Sequence, residues 1–135
     1  MQETKRGVLT WHEGLRFTGG APEGPSTTID GENVAAPGPM LTLLLAAASC
    51  SGSDVVVVLQ KMRVQLRQLR IEVTGVRREQ EPRRYTAIHF DYLLAGEGLD
   101  TAKATRAIDL SLDKYCSVVH SLAPDIAITY ALTLA

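Results

Sequence analysis

Two cysteines, Cys50 and Cys116, are the residues of this chain whose type best suits them to chemistry. They stand 66 positions apart, and two cysteines at that spacing make neither a disulfide framework nor a zinc ligand set. In a reducing compartment both stay free, so any bond between them is transient. The alternative is that they are two unrelated buried thiols, since free cysteine packs as a small hydrophobe. Asp54 follows Cys50 by four residues. On a helix it lies one turn away, where an unpaired carboxylate raises a thiol pKa rather than lowering it. Asp54 therefore either pairs with a cation or caps a helix break after Gly52. His120 follows Cys116 by four residues and reads as a base, as half of a metal site, or as a structural histidine. With both cysteines it makes only three ligands, which is weak support for zinc. His12 and His89 fall in strands with no chemical partner.

These residues must be positioned by the elements around them. Short runs containing Val8 to Trp11, Leu15 to Phe17 and Thr27 to Ile29, separated by glycines and Pro22, predict a meander of three small antiparallel strands. Glu32 to Pro39 is an exposed connection. From Met40 to about Arg63 the chain has no proline and is apolar on every side, which predicts a long helix that must be covered all round. Ser49, Ser51, Gly52, Ser53 and Asp54 in its middle argue against a membrane span, so it is expected to be a buried central helix. Its run of small residues from Ala46 to Ser53 lets another backbone come close to Cys50. Leu69 to Val76 and Ile88 to Leu94 alternate and predict a long hairpin, with a bulge near Gly75. Asp100 or Thr101 caps a second helix, whose stripe Ala104, Ala107, Ile108, Ser111, Leu112 and Tyr115 extends at helical spacing to an inward Cys116. Ile126 to Leu134 is a final strand. Tyr85, Tyr92, Tyr115 and Tyr130 are core or interface residues.

The totals narrow the function classes. The chain has 135 residues, 45% hydrophobic and 21% charged, with 14 basic and 15 acidic side chains giving a net charge of -1. Those values describe one folded domain with no field to hold a nucleic acid or an anionic membrane. Accordingly Lys61, Arg63, Arg67 and Arg70 read as a solvated helix end and turn rather than a nucleic-acid patch. Gln2 to Arg6 lack the apolar segment of a secretion signal, and a cytoplasmic protein is expected. The order of elements predicts an α+β fold, antiparallel sheets packed around a long buried helix and a second helix. One chain this short has few elements to cover such a helix, and a homodimer would supply the rest.

The stretch GPMLTLLLAAASCSGSDVVVVLQKMR, followed downstream by LDKYCSVVHSL, resembles the OsmC/Ohr family, and its OsmC-like branch in particular. The resemblance covers nearly all of residues 1–135 as one OsmC-like domain. It implies an intertwined homodimer with sites at the subunit interface and, in the peroxidase members, reduction of organic hydroperoxides by two thiols in oxidative-stress defence. By that resemblance Cys50 is the attacking residue and Cys116 the resolving one. A thiolate takes the distal peroxide oxygen, becomes a sulfenic acid, and condenses with the second thiol to a disulfide that an external dithiol reduces. No metal or other cofactor is implied.

The match has one gap. In the peroxidase members a glutamate nine or ten residues before the first cysteine holds an arginine against the thiolate, and Met40 and Leu41 stand at those positions here. The arginine comes from the amino-terminal region, where Arg6 and Arg16 are available; Arg16, among the strands leading to the helix, is the better candidate. Its alternative role is that of a solvated strand residue. The missing glutamate favours a second function, a non-enzymatic OsmC-like protein that binds a small apolar ligand at the dimer interface. An adaptor using its sheet surface has no residue to recommend it.

Overall fold

The computed structural model describes residues 2–135. The chain forms two compact units that divide between Leu43 and Leu44. The first is a meander of β1 (Val8–Glu13), β2 (Arg16–Gly20) and β3 (Ser26–Asp30), paired antiparallel in that order. Gly14, with φ +53°, closes the first turn in the left-handed region that favours glycine, and the Trp11 indole N–H donates to its carbonyl at 2.9 Å. The connection after β3 is organised by Asp30, whose carboxylate accepts the backbone N–H groups of Glu32 and Ala35 at 2.9 Å and of Val34 at 3.2 Å. Pro39 then opens α1 (Pro39–Lys61) at the first helical position, where its missing N–H costs nothing.

Most of α1 belongs to the second unit. It is followed by the hairpin of β4 (Gln65–Arg77) and β5 (Tyr85–Glu97), then α2 (Thr101–Leu110), a π-helical turn Ser111–Tyr115, the short α3 (Ser117–His120) and β6 (Ala127–Leu134). The sheet order is β4-β5-β6. The hairpin carries register shifts at Leu66/Gln68 and at Val76/Arg77, the second close to the bulge anticipated at Gly75. Sheet pairing departs from the antiparallel expectation at one place, because β6 joins β5 in parallel. The crossover through α2, the π turn and α3 returns the chain to the same end of the sheet, as parallel pairing requires.

Alternation along β5 puts Ile88, Phe90, Tyr92 and Leu94 on one face, all at most 1% exposed; Ala47, Val55 and Leu59 of α1 and Ala104, Ala107 and Ile108 of α2 are likewise buried. Burying each of the larger of these side chains stabilises the fold by about 1.5–3 kcal/mol. Within the second unit one sheet and one helix cover one side of α1, and Leu45 and Val57 remain 46% and 48% exposed in the single chain. By length and composition alone α1 meets the criteria of a membrane span, with a mean hydropathy of 1.8 over its best window; within this unit its Ser51 side is buried in protein.

Candidate functional site

Cys50 and Asp54 project from one face of α1, one turn apart. Cys116 reaches them from the end of the π turn. The two sulfurs and a carboxylate oxygen of Asp54 all lie within 4.8 Å of one another. Beside Cys50, α1 packs closely on the sheet. A methyl group on Gly52 would stand 3.3 Å from Ile71 Cδ1 of β4, a contact tighter than most side chains make.

The route by which Cys116 turns inward differs from the α-helical spacing anticipated for it. The Cys116 N–H donates to Ser111 O at 2.7 Å, a five-residue step that widens the helix, and Cys116 itself has extended backbone with φ -70° and ψ 97°. An α-helical continuation does not extend to it; the inserted residue and the break in the helix set the direction of its side chain. The outcome is nevertheless a fully buried thiol, with Sγ 3.8 Å from Ala47 O.

Burial pushes the Cys116 thiol up to about 11; the Val119 backbone N–H opposes this, while the neighbouring Cys50 sulfur and the Asp54 charge add to it. Near neutral pH Cys116 is a protonated thiol. Cys50 is less deeply covered.

A buried hydroxyl chain supports Asp54. Tyr92 OH and Ser51 Oγ are 2.5 Å apart, and Ser111 Oγ lies 2.9 Å from both Ser51 Oγ and Asp54 Oδ2. A carboxylate only accepts and each hydroxyl has one proton. The consistent assignment is therefore Tyr92 donating to Ser51, Ser51 to Ser111, and Ser111 to Asp54. Desolvation raises the Tyr92 phenol to about 12, against the effect of Ser51, so it stays a donor throughout the physiological range. Ser51 and Ser111 were not singled out from the sequence as site residues. The available signal was a serine inside an apolar helical stripe in each case, a polar group that must find a partner once buried.

The remaining anticipated residues lie elsewhere. Arg16 sits in β2 of the first unit and donates to Glu13 Oε1 at 2.9 Å. His120 is exposed and its ring bonds the Leu112 carbonyl at 3.0 Å. It is not among the clustered donor atoms, and the place it was considered for beside Cys116 is taken by Asp54. Asp54 forms no ion pair within the second unit, and because α1 runs unbroken through Gly52 it does not cap a break there. Tyr115 is exposed, whereas Tyr92 packs edge-on against Tyr130 at 5.9 Å.

Comparison with known proteins agrees with this architecture. The family model described as OsmC-like protein matches residues 30–131, a span that includes both cysteines, Asp54 and both supporting serines. Protein YhfA of Escherichia coli K12 is 40% identical over 124 residues, 91% of this chain and 92% of its own length. A hypothetical protein from Aquifex aeolicus has the same fold with a TM-score of 0.85 and 29% identity, over 99% of each chain. An organic hydroperoxide resistance protein of Legionella pneumophila, 12% identical and covering 98% of each chain, shares the fold with a TM-score of 0.68. Given a helix with a cysteine in its small-residue middle, a second cysteine brought beside it and a family match across the whole arrangement, the chain belongs to the OsmC-like protein family.

Proposed function

We propose that this protein reduces hydroperoxides with Cys50 as the attacking thiol and Cys116 as the resolving one. The observation that carries this reading is the approach of the two reduced sulfurs to within 4.8 Å, to be closed to roughly 2.05 Å when a disulfide forms. The assignment of roles follows burial: Cys116 is fully enclosed and protonated, while Cys50 is the more accessible sulfur. The Cys50 thiolate takes the distal oxygen of the hydroperoxide, and the released alkoxide gains a proton to leave as an alcohol. Cys116 then attacks the sulfenic sulfur. Its proton, passed through the adjacent Asp54 carboxylate, joins the departing hydroxide as water, and an external dithiol reduces the disulfide.

Fold relatives whose names refer to organic hydroperoxide resistance support this class of reaction. The exposed Leu45 and Val57 on α1 favour the homodimer that the resemblance implies, and free thiols suit the cytoplasm.

The test is to add one equivalent of an organic hydroperoxide to the reduced protein and count free thiols with time. Rapid loss of two thiols per chain, with a Cys50–Cys116 disulfide found by peptide mass, is expected. Loss at the rate of free cysteine sinks the proposal. That second result would favour ligand binding, for which the second unit has a cleft of about 270 Å³ lined by Leu112, Val119, Leu122, Pro124, Ile126 and Ile128.

A further inference from the structure

We infer that the reduced site is also a binding site for a thiophilic divalent cation of the zinc type, held by the Cys50 and Cys116 sulfurs and the Asp54 carboxylate. Three donors from two separate segments converge there, with every pair of donor atoms within 4.8 Å. Around a tetrahedral ion, with metal–sulfur distances near 2.3 Å and metal–oxygen distances near 2.0–2.2 Å, such donors stand about 3.5–3.8 Å apart. Closing the present arrangement onto an ion therefore takes about 1.3 Å at most for any pair of donors.

The donor chemistry selects the ion. Two thiolates favour zinc and its soft neighbours over magnesium or calcium, which prefer all-oxygen shells. Three protein ligands leave the fourth position to water or a small ligand, on the side where Cys50 is only partly covered.

The surroundings have the form of a built outer shell. Ser111 Oγ bonds Asp54 Oδ2 at 2.9 Å, which orients the carboxylate and leaves it further lone pairs for the ion. Ser51 and Tyr92 continue that chain into the core at 2.9 and 2.5 Å. Within the second unit no lysine, arginine or histidine forms an ion pair with Asp54. A bound ion supplies the positive partner that the carboxylate lacks.

The inference requires reduced thiols and a carboxylate, and does not depend on peroxide chemistry. The two meet in one balanced step. Oxidation of both thiolates by one hydroperoxide takes two electrons from sulfur, consumes two protons, forms the S–S bond, yields an alcohol and water, and sets the ion free.

The test is an anaerobic titration of the reduced full-length protein with Co(II), followed by displacement with Zn(II). One equivalent per chain is expected, with thiolate-to-metal charge transfer in the near ultraviolet and tetrahedral bands in the visible. Cys116→Ser should reduce the charge-transfer band, and Asp54→Asn should weaken binding at least tenfold. X-ray absorption on the zinc-loaded wild type should give two sulfurs and lighter donors around the ion, which tests the site even where a variant fails to fold. Absence of charge transfer, a shell of four sulfurs, or affinity unchanged in a folded Asp54→Asn overturns the site. Hydroperoxide added to the loaded protein separates the two ideas, because binding without peroxide-driven release leaves the metal site standing and counts against the peroxidase.

Discussion

Cys50 Sγ and Cys116 Sγ lie within 4.8 Å of each other although 66 residues separate them. One rides on the small-residue centre of a long helix, and the other follows a π-helical turn that interrupts a second helix. Both are free thiols. Their closeness makes the order of events at the two sulfurs measurable.

Replacing the resolving partner should arrest the reaction at its intermediate. In Cys116→Ser, one equivalent of hydroperoxide is expected to produce a sulfenic acid on Cys50 that persists long enough to be trapped by dimedone and located by peptide mass. Cys50→Ser should show no rapid consumption of peroxide. Trapping on Cys116 in the second variant would reverse the assigned roles.

The two thiols should also differ in ordinary reactivity. With its pKa raised to about 11, Cys116 is about one part in ten thousand ionised at pH 7, and it is fully buried. In the reduced, metal-free protein iodoacetamide is therefore expected to modify Cys50 well before Cys116. The lag should shorten as the pH rises towards 11. Timed quenching and peptide mass would read both rates, and equal labelling at pH 7 contradicts the assignment.

Ser111 is where the hydroxyl chain meets the carboxylate. Ser111→Ala removes the proton given to Asp54 and leaves one proton of the buried Ser51–Tyr92 hydroxyl pair with no acceptor. Leaving such a group unsatisfied costs about 1–3 kcal/mol, to be read as a lower urea midpoint with an unchanged slope. Tyr92→Phe should cost less, because Ser51 loses a donor and keeps its own proton bound.

Acid stability should report on Asp30. The backbone N–H of Ala35, followed by that of Glu32, holds its carboxyl below the usual range. The unfolded chain therefore takes up this proton at higher pH than the folded one. The stabilisation is present above the unfolded carboxyl pKa of about 3.9 and disappears as the pH falls through the lowered folded value. Asp30→Asn is expected to flatten the fall of the urea midpoint over that acid range, with little change of slope near neutrality. An identical acid profile in the variant would show that the loop after β3 does not depend on this charge.

Periodicity and composition made the elements themselves legible. Alternation marked β4, β5 and β6, and the unbroken apolar run marked α1 to within about two residues of its ends, because period and proline placement are local properties of the chain. The two cysteines stood out by type, and the resemblance to the family rested on their settings. Three features needed the tertiary structure. The parallel placement of β6 depends on where a crossover lands, which no residue in the strand specifies. The inward turn of Cys116 depends on one additional residue in a helical turn, a change that leaves the spacing of apolar residues intact. Asp54, at first the residue that argued against an activated Cys50, acquires its role only from Ser111 and Cys116, more than fifty positions away. A carboxylate's chemistry is set by the protons and charges that folding brings within a few ångströms, and those neighbours are distant in the chain.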